Sequence, residues 1–319
     1  MSADFSILDC WFLTGPTASG KTSIGIELAR RLNAEVLSLD SMAIYRHMDI
    51  GTAKPTVAER AGIPHHLLDL VEPEEEFSVA RYVELAHEKI VEIRSRGREV
   101  LFVGGTPLYL KSLLRGIFEG PQADWEFRRQ VEEELRTVGQ QALYERLAAV
   151  DPLSAKRLHP NDTRRLIRAL EVYKLTGQPI SHLQLQFEEG TPPEQCRVFV
   201  LQREVPELQE RINQRVDAMF EQGLVAEVEN YLAQGRQYGR TAQQAVGYRE
   251  VLEALAGRMT LDEAREQVKI RTRRFAKRQR TWFRSLIECR MVPISGNPDP
   301  AAVADQIAEQ GRELAPRNR

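Results

Sequence analysis

Positions 15–22 read GPTASGKT, which fits the phosphate-loop spacing G-x-x-x-x-G-K-[ST] without a mismatch. Glycines at both ends let the backbone curl until successive N–H groups point inward at phosphate oxygens. A helix starting just after the loop adds its positive dipole end. The cradle is read as Gly15, Pro16, Thr17, Ala18, Ser19, Gly20, Lys21 and Thr22. Lys21 supplies a mobile cation and the Thr22 hydroxyl suits Mg²⁺. A purely structural turn would need neither of these two. Such a loop holds a phosphate chain; whether the phosphate is spent as fuel, as in an ATP-dependent kinase, or discarded as a leaving group depends on other residues.

Two further residues fall at the carboxyl ends of apolar runs, where open α/β sheets place their ligands. Asp40 ends AEVLSLD (34–40). It is read either as a Mg²⁺ ligand or as a general base for a weak nucleophile such as an adenine amino group. Thr106 ends VGGT (103–106), either as a helix N-cap or as a hydroxyl donor to an oxygen that gains charge when a bond breaks. The residues alone leave both choices open.

A third feature is electrostatic. The formal net charge is only −2, yet between Arg265 and Arg284 nine cations face Glu266 alone, a charge of +8 in twenty residues. In IRTRRFAKRQRTWFR (270–284) the cations alternate with Phe275, Trp282 and Phe283. Phe275, Gln279, Trp282 and Leu286 share one helical face, which suits a core, whereas the cations fall nearly all round the helix and suit a phosphate backbone. A smaller cluster, Arg164, Arg165 and Arg168, lies in DTRRLIR. The adjacent pair His65-His66 points to opposite sides of an extended chain and has no acid cluster beside it, so it reads as structural. Cys10, Cys196 and Cys289 are far apart and odd in number, which predicts neither a disulfide framework nor a zinc site but a reduced, cytoplasmic setting.

The elements that must position these groups follow from periodicity. CWFLT (10–14), AEVLSLD and EVLFVGGT (99–106) read as buried strands alternating with amphipathic helices, the pattern of a parallel sheet with crossovers. One helix carries Ile24, Leu28 and Leu32 and stops at Asn33; another carries Val79, Val83, Ala86, Ile90 and Ile93 and ends at Gly97. From about 121 to 191 strand signals vanish, predicting an all-helical insertion. CRVFVLQ (196–202) returns to the sheet, a helix begins at Pro206, a long one runs from Leu261 to Leu286, and GRELAPRNR reads as a frayed tail. With 319 residues, an α/β phosphate-loop core over 1–120 and 192–319 and a helical insertion over 121–191 are expected. No apolar run is long enough to span a membrane, and the basic n-region of a signal peptide is missing.

The segments GPTASGKT, SLDSMAIYRHMDIGTAKP, GIPHHLLDL, VGGTPLYLKSLL, RRLIRALEVYKLTGQPIS, QAVGYRE and KRQRTWFR occur in an order and spacing that resemble those of the bacterial tRNA dimethylallyltransferases, also called tRNA isopentenyltransferases. The resemblance covers about residues 11–286, and MDIGTAKP is not a general kinase feature. It implies a nucleoside-triphosphate-hydrolase-like core. It also implies transfer of a dimethylallyl group from dimethylallyl diphosphate to N6 of adenosine 37, next to the tRNA anticodon, with Mg²⁺ near Thr22. Under it the loop holds the departing diphosphate, Asp40 accepts the N6 proton, and Thr106 hydrogen-bonds the bridging oxygen.

The resemblance further implies that Asp40, Ser41, Met42 and Ala43 contact the target nucleoside and that Arg128 lines the channel between the substrates. Contact with tRNA falls to Arg164, Arg165, Leu166, Ile167 and Arg168; to Gln244, Ala245, Val246, Gly247, Tyr248 and Arg249; and to Lys277, Arg278, Gln279, Arg280, Thr281, Trp282, Phe283 and Arg284. The helical insertion corresponds to a domain that grips the anticodon stem, and a monomer is expected. Three positions depart from the pattern: Ala43 stands where glutamine is common, His47 where glycine is, and Arg164 where glutamine is frequent. A small-molecule kinase has no use for the basic helix, and an enzyme that prenylates free AMP has none for the helical insertion.

Overall fold

The computed structural model describes residues 6–117, 120–184 and 190–314. The chain runs β1 (Trp11–Thr14), α1 (Lys21–Leu32), β2 (Ala34–Leu39), β3 (His65–His66), α2 (Val79–Ser95), β4 (Glu99–Gly104) and α3 (Pro107–Arg115). Helices α4 (Trp125–Val150), α5 (Pro152–Arg157), α6 (Thr163–Thr176) and α7 (Ile180–Leu183) follow. The chain then returns through β5 (Arg197–Gln202), α8 (Val205–Glu221), α9 (Leu224–Ala233), α10 (Tyr248–Leu255), α11 (Leu261–Ser285), β6 (Cys289–Pro293) and α12 (Pro300–Glu313). It divides into two compact units, Met1–Leu114 with Gly190–Arg319, and Arg115–Glu189.

The first unit is built on a six-stranded sheet of order β3-β2-β4-β1-β5-β6, parallel throughout. Every residue of β1 and β2 is buried, as a parallel sheet covered on both faces by crossover helices requires. On one face α1 and α12 close over Trp11, Leu13, Phe199 and Leu201. On the other, Phe12 stacks on Phe102 at 4.7 Å and Tyr82 on Tyr109 at 3.9 Å. Two smaller cores hold α8 to α11 and fasten α9 and α10 under residues 44–48.

Asn33 caps α1 in the left-handed conformation, where asparagine is tolerated. Two strands escape the periodicity reading. β3 is two residues long, and β6 is a short edge strand whose first three residues are only half-buried. The last segment is also a correction: Gly311–Glu313 belong to α12, because Gly311 lies directly against the Trp11 indole. Of that segment, residues 315–319 lie outside the described residues. The histidine pair is structural, His66 Nε2 meeting Glu35 at 2.7 Å and His65 Nδ1 the Ile63 carbonyl at 2.9 Å.

The second unit is helical, with a core of Phe127, Val131, Leu143, Leu147, Leu166, Ile167 and Leu170. Gly139, at φ 81°, breaks α4 into two stretches. Gly177 ends α6 with its N–H donating to the Tyr173 carbonyl. Among the described residues, no helix is long and apolar enough to cross a membrane.

Candidate active site

The phosphate loop joins β1 to α1. Gly15 has φ 146°, and a Cβ there would meet the Leu201 carbonyl oxygen at 2.8 Å, so only glycine can pass between β1 and β5 at this turn. Lys21 starts α1, and its Nζ donates back to the Gly15 and Pro16 carbonyls at 3.0 and 2.7 Å. Burial first, and then the Arg215 guanidinium, push the Lys21 ammonium down to about 7, while Asp40 opposes them. A phosphate in the cradle would favour the charged form of this lysine.

Asp40 and Thr106 come to the same rim because β2 and β4 are neighbours in register. A Cβ on Gly104 would lie 2.2 Å from the Leu39 carbonyl oxygen, and this close approach lets the Gly105 and Thr106 N–H groups both donate to that carbonyl. Thr106 precedes α3 and its carbonyl accepts from Leu110. Its hydroxyl turns instead to Ser41, whose N–H donates to Thr106 Oγ1 at 3.0 Å. The hydroxyl proton points to Ser41 Oγ at 3.4 Å, a long contact that a better acceptor would replace. Asp40 Oδ1 accepts from the Met42 and Ala43 amides at 2.8 and 3.3 Å, while Oδ2 has no hydrogen bond among the described residues.

Three arginines complete the loop's surroundings, and the sequence reading did not find them. Arg203 is 2 % exposed, donating Nε–H to the Ser19 carbonyl at 3.0 Å. Arg211 donates to the Ala18 carbonyl at 3.0 Å, and Arg215 approaches the Thr17 hydroxyl at 3.4 Å. The available signals were an arginine just past β5 and the i, i+4 pair Arg211/Arg215 on α8. Burial lowers the guanidinium pKa of Arg215.

Loop, rim, Arg211 and Arg215 open on one cavity of about 1090 Å³. Its polar end holds Lys21, Thr22, Asp40, Thr106 and Arg215; Met42, Ile212, Val216, Met219, Val246, Val268 and Phe275 add apolar wall. Residues 42, 43 and 51–54 line one side, and the segment between them is clamped to the fold. Glu227 on α9 accepts from the Asp49 and Ile50 amides at 3.0 and 2.9 Å, and its other oxygen accepts from Tyr248 Oη at 2.5 Å. The Gly51 N–H donates to the same Tyr248 oxygen at 3.2 Å. Lys54 reaches the Tyr45 carbonyl, Asp49 and Asp69. His47, at φ 61°, adopts the left-handed backbone that glycine takes without strain. Ala43 is buried, lines the cavity and commits its N–H to Asp40.

The residues expected on nucleic acid separate by burial. On α11, Arg274, Lys277, Arg278, Thr281 and Arg284 are exposed, and Arg280 and Trp282 are half-buried. The earlier cations turn inward: Lys269 pairs with Asp217 and Glu266, Arg271 with the buried Glu250, and Arg273 donates to Asn213. Phe283 and Gln279 are buried, at 0 % and 3 % exposure, and support the helix from within. Phe275, expected in the core, is exposed and lines the cavity. Of the 244–249 segment, Gln244 and Arg249 are exposed, Val246 is half-buried, and Ala245, Gly247 and Tyr248 are buried.

In the helical unit Arg164 and Arg165 are exposed, whereas Leu166 and Ile167 belong to the core. Arg128 is held bidentate by the buried Glu171, at 2.8 and 2.7 Å, and Arg168 pairs with the same carboxylate. Arg128 also lies 4.7 Å over the Trp125 ring.

This arrangement has close counterparts. Residues 43–286 match the family described as IPP transferase. The chain is 50% identical to a tRNA dimethylallyltransferase of Rhodopirellula baltica over 94% of its own length and 92% of that protein's. It is 45% identical to one of Pelotomaculum thermopropionicum over 93% and 94%. Among solved structures, the full-length tRNA isopentenylpyrophosphate transferase of Bacillus halodurans superposes with a TM-score of 0.70 at 39% identity, covering 96% of this chain and 97% of that one. A eukaryotic dimethylallyltransferase acting on tRNA gives a TM-score of 0.73 at 28% identity over 95% and 77%. A phosphate loop facing Asp40 and Thr106 across one cavity, together with a match over most of its length, places this chain in the IPP transferase family.

Proposed function

We propose that this protein transfers the dimethylallyl group of dimethylallyl diphosphate to N6 of adenosine 37 in tRNA. The observation that carries this reading is the convergence of Asp40 and Thr106, joined through Ser41, on the cavity that holds Lys21 and Arg215. The acceptor N6 attacks C1 of the allylic chain as the C1–O bond breaks. The electron pair leaves with the diphosphate, and the N6 proton passes to Asp40 Oδ2. Because the double bond stabilises positive charge at C1, the main demand is on the leaving group. The loop amides, Lys21, Arg215 and the Thr106 hydroxyl meet it, the last by donating to the bridging oxygen. The apolar wall around Met219, Val246 and Phe275 suits the hydrocarbon chain and keeps water from the cation.

The chain's oxygen donors fit Mg²⁺. Among the described residues no group of three or more His, Cys, Asp or Glu side chains could hold a metal alone, and Mg²⁺ usually takes only one or two protein oxygens beside phosphates and water. Thr22 at the start of α1 would supply one, and the ion would neutralise charge building on the diphosphate. The adenosine must leave the anticodon-loop stack to reach the cavity. The exposed cations Lys277, Arg278 and Arg284 would meet the RNA backbone, and the helical unit with Arg164 and Arg165 would grip the anticodon stem. We take the protein to act as a cytoplasmic monomer. A small-molecule kinase would leave these exposed cations without a task.

Incubating the protein with unmodified tRNA, Mg²⁺ and labelled dimethylallyl diphosphate tests the reading. Label is expected in the RNA, on one adenosine. No label in RNA, with ATP-dependent phosphorylation of a small molecule instead, would overturn it.

A further inference from the structure

Gln279 lies on α11 among exposed cations, yet it is 3 % exposed and both ends of its carboxamide are used. The Thr17 N–H donates to Oε1 at 2.9 Å, and Nε2 donates to the Gly105 carbonyl at 2.6 Å. These partners come from the ends of two neighbouring strands: Thr17 from the phosphate loop after β1, Gly105 from the end of β4 beside Thr106. They lie 262 and 174 residues from Gln279 in the chain. A Cβ on Gly105 would come within 2.7 Å of Gln279 Nε2, so the glycine of the rim and the glutamine of the helix fit each other.

We propose that Gln279 is a positioning residue for the leaving-group site, setting the distance between the phosphate-loop amides and the Thr106 hydroxyl by tying Thr17 to Gly105. Only a neutral carboxamide, or a protonated carboxyl, can accept from the one and donate to the other. A thioether of similar length fills the space and makes neither bond. A carboxylate opposes its second oxygen to the Gly105 carbonyl and adds a negative charge beside the diphosphate. The link also explains why this position of a basic helix carries no charge: α11 meets the leaving-group site here through a buried side chain.

The inference rests on the reading above, and the test keeps the two apart. In the full-length protein, three quantities are measured: affinity for Mg²⁺–pyrophosphate, affinity for an unmodified anticodon stem-loop, and the single-turnover transfer rate. Gln279→Met should weaken pyrophosphate binding and slow transfer about 10-fold each, with stem-loop affinity within 2-fold of wild type. Gln279→Glu should match Gln279→Met at pH 8. Relative to wild type at each pH, it should recover toward pH 6, because the buried carboxyl, its pKa raised by desolvation, regains the donor when protonated. Should Gln279→Met fail to fold, the pH-dependent recovery of Gln279→Glu decides alone. Wild-type pyrophosphate affinity in Gln279→Met, equal loss of both affinities, or a flat pH ratio for Gln279→Glu overturns the positioning role while prenyl transfer stands. A wild-type protein that neither binds Mg²⁺–pyrophosphate nor labels RNA overturns both.

Discussion

Replacing Asp40 by asparagine separates two tasks that one carboxylate performs. Oδ1 accepts from the Met42 and Ala43 amides at 2.8 and 3.3 Å, and an asparagine carbonyl can keep both bonds. At the other position the amide presents NH₂ and cannot take a proton. Loss of a general base costs on the order of 10²- to 10⁴-fold in the chemical step, or about 2.7–5.4 kcal/mol at about 1.36 kcal/mol per decade. The two loop bonds, worth about 1.5–3 kcal/mol each when the acceptor is charged, largely survive. Asp40→Asn should therefore lose two to four decades of single-turnover transfer while binding stem-loop and pyrophosphate as the wild type does. Asp40→Ala should lose the same chemistry and loosen residues 41–43 as well, seen as a lower melting temperature. A rate for Asp40→Asn within tenfold of wild type, or a loss of stem-loop affinity as large as the loss of rate, would refute the general-base assignment.

Four further outcomes are expected. Lys277→Ala and Arg278→Ala should each weaken tRNA binding and lower the slope of log K against log salt by about one, the contribution of one phosphate contact. Arg271→Ala, which removes the partner of buried Glu250, should lower stability with that slope unchanged; the comparison is made by titration at four salt concentrations. Tyr248→Phe leaves Glu227 and the Gly51 N–H without their shared hydroxyl; calorimetry should show a loss of about 1–3 kcal/mol, with the salt slope again unmoved. The Lys21 ammonium sits near 7 in the free protein, and a bound diphosphate favours its charged form. Binding is therefore unaided by proton uptake below that value and requires it above, so pyrophosphate affinity should fall by up to about tenfold per pH unit beyond pH 7. Lys21→Arg carries a permanent charge and corrects for the ligand's own titration; a wild-type profile parallel to it would refute the assignment.

The sequence by itself determined the elements and the chemistry whose signal is local. A phosphate loop is a run of eight residues, and its glycines, lysine and threonine are each required by the backbone path or the ligand. Strands buried on both faces announce themselves as unbroken apolar runs, and the helical insertion by their disappearance. The one- and two-turn spacings of α1, α2 and α11 are equally local. Even Asp40 and Thr106 were legible as strand ends, although their residue types left metal ligand against base, and cap against donor, undecided. Only the resemblance to known proteins moved that choice.

The tertiary structure decided what depends on contacts across many residues. It turned the Thr106 hydroxyl away from its own helix and toward Ser41, because β2 and β4 lie side by side with Gly104 pressed on Leu39. It brought Arg203, Arg211 and Arg215 around a loop some two hundred residues earlier, a grouping no spacing could reveal. It also divided the basic helix in two. Lys269, Arg271 and Arg273 spend their charge on partners within the fold, whereas Lys277, Arg278 and Arg284 keep theirs for solvent or a ligand. A helix's sequence records which cations it carries. Which of them remain free is set by what packs against it, and burying a charge is tolerated only where a partner waits.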